Sequence, residues 1–85
     1  MACTVKDVRK GTRVVLRNGW EAEVLDNLTN RATRMCKVYG TYTEMGSVYT
    51  SDIVSAQMPD GVWHVVVHST KTLELATARK SRWGF

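Results

Sequence analysis

Two histidines come nearest to a metal-binding pair in this 85-residue chain. His64 and His68 alternate with Trp63 and valines, a two-residue period that predicts a strand with Trp63 facing the core. Side chains four positions apart on one face of a strand lie about 13 Å apart, too far to share one ion. Cys36 does not complete a site with them, because the chain has no C-x-x-C or H-x-x-E-H spacing. We therefore expect no metal site and two histidines that face solvent.

Asp52 is the carboxylate best placed for a chemical role, since it lies among polar residues on a predicted strand that should be half-buried. No second carboxylate stands near it in sequence, and no spacing indicates a Ser, His and Asp arrangement. P-loop and Rossmann glycine motifs are absent as well. A capping or turn hydrogen bond explains Asp52 equally well. We expect no enzyme, no cofactor and no small-molecule substrate.

The strongest binding candidates are the tyrosines at positions 39, 42 and 49. If residues 44–47 form a four-residue loop, Tyr42 pairs with Tyr49 across a hairpin. In a regular strand Tyr39 points to the opposite face, and only a bulge at Gly40 brings it to the same face as this pair. Aromatic rings flanked by cations stack the bases of single-stranded nucleic acid. Equally, such tyrosines can cover a small core and keep their hydroxyls in water. The predicted nucleic-acid or partner-binding residues are Arg13, Arg17, Arg31, Arg34, Lys37, Tyr39, Tyr42 and Tyr49.

The chain ends in a basic segment with two aromatic residues. Arginine and tryptophan are the usual anchors of protein interfaces, so this tail can dock into a partner or into a second copy of the chain, as a homo-oligomer. Folding back over its own domain, or fraying, accounts for the same residues. Trp83 is expected to lie outside the core. The candidate docking residues are Arg79, Lys80, Arg82, Trp83 and Phe85.

The charge distribution is uneven. Residues 1–40 carry eight Lys/Arg against four Asp/Glu, residues 41–68 none against three, and residues 69–85 four against one, for a net charge of +4. Basic ends favour nucleic acid or another anionic partner, although solubility alone explains a charge of this size. The aliphatic runs fall far short of the ~20 residues of a membrane helix, so we expect no membrane partner. Cys3 and Cys36 have no disulfide spacing and predict free thiols in a reducing, cytoplasmic setting.

At 85 residues with 44% hydrophobic content, the chain predicts one globular domain. A lead-in arm (1–10) precedes the body of the domain (11–68), and a short helix with the basic aromatic tail follows (69–85). Ser69 and Thr70 are the expected helix caps. The predicted strands are 12–17, 20–26, 33–43, 48–56 and 62–68, and the predicted helix is 71–80.

The first two predicted strands form a hairpin whose register follows from the chemistry of its faces. A strict two-residue Asn-Gly turn would put the apolar residues of the first strand on the same face as the glutamates of the second. A three-residue loop with Gly19 left-handed in a G1 bulge instead pairs Leu16 with Trp20, and Arg13 with Glu23 on the outer face. This register turns Trp20 towards the core, so we favour it.

Two segments resemble known proteins. The run GTRVVLRNGWEAEVLDN, preceded by VKDVRK, resembles the opening hairpin of SH3-like barrels of the KOW type. The run KVYGTYTEMGSVYTSDIV is similar to a family of small proteins encoded by tailed bacteriophages and prophages, which has no assigned chemistry. Together they imply an all-β fold, namely a five-stranded SH3-like antiparallel barrel, and a gene carried by a phage or prophage. A phage-encoded protein of this kind would act in the cytoplasm of the bacterial host.

The leading functional hypothesis is a non-enzymatic nucleic-acid-binding module, in which the arginines and Lys37 meet phosphates and the tyrosines stack bases. The alternative is a protein-interaction module, either a modulator or inhibitor of a host protein or an accessory component of a phage assembly. Its features are the acidic middle of the chain and the aromatic tail.

Overall fold

The computed structural model describes residues 2–28, 31–70, 72 and 74, which form one sheet of seven strands. The strands are β1 (Ala2–Cys3), β2 (Arg13–Leu16), β3 (Glu21–Val24), β4 (Thr33–Tyr39), β5 (Thr43–Tyr49), β6 (Ile53–Gln57) and β7 (Trp63–Val66), with 3₁₀ turns at Val5–Asp7 and Thr50–Asp52. They lie in the order β1-β7-β6-β2-β3-β4-β5, and β1 pairs with β7 in parallel while every other pairing is antiparallel. The all-β prediction is confirmed, with two strands more than the five expected.

The β2–β3 hairpin has the predicted register. Arg13 lies opposite Glu23, and the Leu16 N–H donates to the Trp20 carbonyl at 2.7 Å across a three-residue loop. Gly19 has φ +93°, a left-handed conformation that costs an L-residue with a side chain about 1–2 kcal/mol. The loop therefore aligns the apolar residues of both strands on one face.

The β4–β5 hairpin turns earlier than predicted. Tyr39 pairs with Thr43, and the Gly40 N–H donates to the Tyr42 carbonyl at 3.2 Å, so the turn is 40–42 and not 44–47. A Cβ on Gly40 would overlap the ring of Trp20, which lies against this turn. Gly40 is therefore needed for a close approach by a distant side chain and does not mark a bulge.

The predicted strand 48–56 is interrupted by the 3₁₀ turn Thr50–Asp52. The chain changes direction there, so β6 leaves β5 and pairs with β2. The Arg17 N–H donates to the Asp52 carbonyl at 2.8 Å and joins this turn to the loop of the first hairpin.

The faces of β7 are reversed from the prediction. His64 and Val66 are buried, while Trp63 is 41% exposed, so the expectations of a core Trp63 and of a solvent-facing His64 are both wrong. The turn before β7 decides which of its side chains face inwards. The Met58 N–H donates to the Val62 carbonyl at 3.0 Å, which places Trp63 opposite Gln57. His64 then lies inside, opposite the small Ala56, and its ring pairs with Asp60 at 3.2 Å.

The core lies on the inner face of the sheet. Trp20 is half-buried and packs against this core. The buried residues of the core are mostly small and aliphatic; besides two cysteines and Ala22 and Ala56 they are Val8, Val14, Leu16, Val24, Val38, Val48, Ile53 and Val66.

After β7 the chain begins the capping pattern expected of a helix. The Ser69 hydroxyl accepts a hydrogen bond from the Thr72 N–H at 3.1 Å, which is the bond an N-cap side chain makes. Most of the predicted helix 71–80 lies outside the described residues. No helix among the described residues has the length and apolar character needed to span a membrane.

Candidate nucleic-acid interface

The outer face of β2, β3 and β4 brings three of the predicted binding residues together. The Arg13 guanidinium lies 4.5 Å from the centre of the Tyr39 ring, and Lys37 Nζ lies 5.8 Å from it. Arg13 Nε also lies 3.6 Å from Glu21 Oε1, and Lys37 lies opposite Glu23 in the strand register. Two cations and two carboxylates share this face, so it has no excess positive charge to attract a phosphate backbone.

Arg34 does not belong to a binding surface, in contrast to the prediction. It is 1% exposed, and its Nε lies 2.6 Å from Asp26 Oδ1. Its other nitrogens donate to the Asp26 carbonyl at 2.7 Å and to the Val5 carbonyl at 3.4 Å. A fully paired, buried guanidinium holds the lead-in arm against β3 and β4 and is closed to phosphates.

Asp26 is the anchor of this buried pair. Partial burial opposes its ionisation, but hydrogen bonds from the Met35 N–H, the Arg34 side chain and the Leu28 N–H outweigh that effect and hold the pKa of Asp26 below its ordinary value. Asp26 therefore remains a carboxylate at neutral pH, and the pair is ionic.

Arg17 and Asp52 form a second ion pair, between an exposed guanidinium and a buried carboxylate. Arg17 Nη2 lies 3.1 Å from Asp52 Oδ1, and Asp52 is 2% exposed in the 3₁₀ turn. Together with the backbone bond between the same residues, this contact holds the first hairpin onto the β5–β6 connection. The structure thus places Asp52 in a turn, as one of the two sequence interpretations has it, and occupies Arg17 within the fold.

The three tyrosines do not form a row. Tyr42 is 75% exposed in the β4–β5 turn, whereas Tyr49 lies opposite Thr33 at the other end of the same hairpin. The predicted Tyr42 and Tyr49 pair is wrong, because the turn lies at 40–42. Arg31 is exposed in the loop before β4, away from Tyr42.

A basic cleft lies between residues 7–13 and the β6–β7 turn, which spans residues 58–62. Its volume is about 460 Å³. Three cations and one carboxylate line it, namely Arg9, Lys10, Arg13 and Asp7. Its remaining walls are Gly11, Thr12, Gln57, Met58, Pro59 and Gly61. Of these three cations, only Arg13 was predicted from the sequence. The signal for the other two was the run Arg9-Lys10-Gly11 just before β2.

Two of the three cations of the basic cleft are open to a ligand. Arg9 and Lys10 are exposed and form no ion pair with another described residue. The Asp7 carboxylate accepts a hydrogen bond from the Thr4 N–H at 3.0 Å, so it is engaged with the backbone of its own segment, the lead-in arm.

Backbone donors of the same segment are already used. The Lys10 N–H donates to Asn27 Oδ1 at 2.8 Å, and the Gly11 N–H donates to the Val24 carbonyl at 2.7 Å. A ligand in the basic cleft would therefore be bound by long side chains, which suit a backbone of repeated phosphates.

An apolar strip borders the basic cleft on the outer face of β7 and just beyond it. The strip consists of Trp63, Val65 and Val67, which are 41%, 62% and 54% exposed. Its first residue lies opposite Gln57, which lines the basic cleft. A large exposed indole beside a basic cleft is a feature that sequence reasoning missed, because hydrophobic alternation assigned Trp63 to the core.

The other titratable candidates have partners inside the fold. His68 Nε2 lies 2.7 Å from the Ile53 carbonyl, and His64 is held by Asp60. Within the described ranges, no group of three or more His, Cys, Asp or Glu side chains is placed to hold a metal ion. The candidate docking residues Arg79, Lys80, Arg82, Trp83 and Phe85 lie outside the described residues.

Comparisons with protein-family models, with curated proteins and with solved structures find no match to this chain. Function must therefore be inferred from the basic cleft and the apolar strip themselves.

Proposed function

We propose that this chain is a non-enzymatic nucleic-acid-binding module with an SH3-like architecture, encoded by a bacteriophage or prophage and acting in the cytoplasm of the bacterial host. The observation that carries the binding proposal is the basic cleft, which Arg9, Lys10 and Arg13 line with a single carboxylate and in which Arg9 and Lys10 form no ion pair with another described residue. Nothing comparable exists on the outer face of β2 to β4, where the charges balance.

The order of the strands supports the SH3-like part of the proposal. Strands β2 to β6 lie in the spatial order β6-β2-β3-β4-β5, joined by two hairpins and a 3₁₀ turn. The resemblance of the opening hairpin implies five antiparallel strands, and these five strands pair antiparallel. β7 and the short β1 extend the sheet beyond β6.

Binding in the basic cleft is electrostatic and independent of sequence. Arg9 and Lys10 reach phosphate oxygens with side chains that the fold leaves exposed, and each contact releases condensed counterions. Phosphate contacts position a nucleic acid without reading its bases. Arg13 contributes less than the other two, because Glu21 and Tyr39 already hold its guanidinium.

The proposal is tested by fluorescence anisotropy with labelled single-stranded and duplex oligonucleotides, over a range of salt that begins at about 50 mM. Changing Arg9 and Lys10 together to alanine should weaken binding and reduce the salt slope by about 1.4 to 1.8 units, since two phosphate contacts are lost. The matched control changes Lys6 and Lys37 to alanine, which removes the same charge from outside the basic cleft.

Two results would overturn the proposal. One is the absence of detectable binding by the unaltered protein to DNA or RNA at low salt. The other is an equal loss in the control variant, which would mean that total charge and not the basic cleft attracts the ligand.

A second candidate function is protein interaction, and the apolar strip favours it. Exposed apolar side chains at adjacent positions of one face are typical of docking surfaces. The partner would be a host protein that the chain modulates or inhibits, or a component of a phage assembly. Docking anchored by the apolar strip would change little with salt, whereas phosphate binding must weaken steeply.

A further inference from the structure

We propose that Trp63 is the base-stacking residue of the basic cleft, so that the preferred ligand is single-stranded nucleic acid. This inference rests on the proposed function and adds to it the stacking platform and the strandedness of the ligand. It replaces the tyrosines, which sequence reasoning assigned to stacking, with a residue that was assigned to the core.

The strand register places Trp63 beside the basic cleft. Trp63 lies opposite Gln57 across β6 and β7, and Gln57 lies opposite Arg13 across β2 and β6. Residues opposite each other on neighbouring strands share a face, so all three side chains are on the outer face. Two strand spacings separate Arg13 from Trp63, about 10 Å between backbones. The Arg13 guanidinium itself extends the other way, over Tyr39, so the link to Trp63 is Gln57, which lines the basic cleft one strand spacing from the indole.

The side chain between these two residues is held in place. Gln57 lines the basic cleft, and its amide donates to the Gly61 carbonyl at 3.1 Å. Gln57 is therefore a fixed and uncharged side chain between the basic cleft and the indole. A nucleotide whose phosphate lies in the basic cleft can lay its base over Trp63 on the other side of Gln57.

The tyrosines are less suitable as platforms for a base. Tyr39 already has the Arg13 guanidinium over its ring at 4.5 Å. Tyr42 lies in the β4–β5 turn, on the far side of β3 from the basic cleft. Trp63, in contrast, is 41% exposed on a strand adjacent to the one that contributes Gln57.

The exposed ring of Trp63 favours a single-stranded ligand over a duplex. The bases of a duplex are stacked on one another and present only their edges in the grooves. A flat aromatic face on a protein surface gains energy from an unstacked base, and single strands supply such bases. Phosphate contacts from Arg9 and Lys10 would serve both kinds of ligand, but Trp63 would serve only one.

The experiment compares Trp63→Ala, Trp63→Phe and Val65→Ala, using a fluorescein-labelled thymidine oligonucleotide and a duplex of equal length. We expect Trp63→Ala to weaken single-strand binding by roughly 5- to 150-fold, with the same salt slope and unchanged duplex binding. Trp63→Phe should retain most of the affinity. Val65→Ala is the matched control, because it shortens an exposed side chain of the same apolar strip that has no aromatic face.

A second measurement does not depend on the alanine variant. Unlabelled oligonucleotide should quench the indole emission of the unaltered protein, and it should quench that of Trp63→Phe distinctly less. Equal quenching of the two proteins would overturn the inference.

The outcomes separate this inference from the proposed function. Unchanged single-strand affinity in Trp63→Ala, or equal losses for single strand and duplex, would overturn stacking while the basic cleft remains the binding site. Equal losses in Trp63→Ala and Val65→Ala would also overturn it, because the loss would then come from the apolar strip as a whole and not from an aromatic face. No binding of any nucleic acid by the unaltered protein would overturn both.

Discussion

Arg34 and Lys37 lie three positions apart on β4 and point to opposite faces of the sheet. Arg34 is enclosed by the core and neutralised by Asp26, while Lys37 lies on the outer face near Tyr39 and opposite Glu23. The same kind of charge therefore has a folding role in one residue and a surface role in the other. The side of the strand decides which, since a buried cation needs a fixed carboxylate.

The buried pair predicts a large effect of removing Arg34. Arg34→Ala leaves Asp26 without its guanidinium partner and should lower the free energy of unfolding by about 3 kcal/mol, the low end for a buried pair because Asp26 is 20% exposed. Urea denaturation measures this loss. Arg31→Ala, at an exposed position in the preceding loop, is the control and should stay within about 0.5 kcal/mol of the unaltered protein. Similar curves for the two variants would contradict the structural role of Arg34.

At the scale of the element, turn geometry decides which side chains face the core. The first hairpin has a short loop whose residues specify their own conformation, with Gly19 left-handed. The β4–β5 turn depends on a residue from another strand, because Trp20 lies against Gly40. The β6–β7 turn sets the parity of β7 and thereby exposes Trp63 and buries His64.

Gly19 is required for its backbone conformation alone. Nothing lies within 4 Å of the position that a Cβ would take, so a side chain there meets strain but no clash. Gly19→Val should cost more than about 1 kcal/mol, whereas Gly19→Asn should cost much less, because asparagine tolerates the left-handed region. Thermal unfolding of the two variants measures the difference. Equal melting temperatures for Gly19→Val and the unaltered protein would contradict the bulged turn.

Gly40 is required for space. Gly40→Ala should destabilise the protein by about 1–3 kcal/mol through overpacking against the Trp20 ring. The same change made together with Trp20→Ala should cost far less, because the ring that it strikes is gone. A double-mutant cycle by urea denaturation measures this coupling. Additive effects would show that the ring does not restrict residue 40.

At the scale of the whole molecule, folding redistributes the charge that the sequence separates by segment. Two acids of the acidic middle acquire partners, since Asp52 pairs with Arg17 and Asp60 pairs with His64. Arg9 and Lys10 of the lead-in arm line the basic cleft instead. The protein therefore has a local positive site although its net charge is only +4.

The two buried thiols should become accessible at different stages of unfolding. Burial raises the pKa of Cys36 to about 12, so the native protein holds almost no reactive thiolate there at pH 8. Cys3 lies in a two-residue strand at one end of the strand order, which can open locally. With the other cysteine changed to serine, maleimide labelling of Cys36 should follow the global urea transition, and labelling of Cys3 should begin below it. Equally fast labelling of both thiols in native buffer would contradict this difference.

Sequence alone was sufficient for the features that depend on neighbouring residues. Alternation of apolar residues and the Asn-Gly loop predicted an all-β chain and the register of the β2–β3 hairpin, including the positive φ of Gly19. Both depend on residues within a few positions of each other, where the chemistry of one face and the conformation of one turn are enough to choose.

Only the tertiary structure decided the candidate site. Alternation on β7 allows either Trp63 or His64 to face the core, and the prediction of Trp63 was wrong. The turn after β6 places His64 opposite the small Ala56, where its ring fits inside. Arg34 is buried because Asp26 and the lead-in arm meet around it, and the basic cleft joins residues 7–13 to residues 57–61. Contacts between segments so far apart in the chain depend on how the whole sheet packs around its core, which no local pattern of residues encodes.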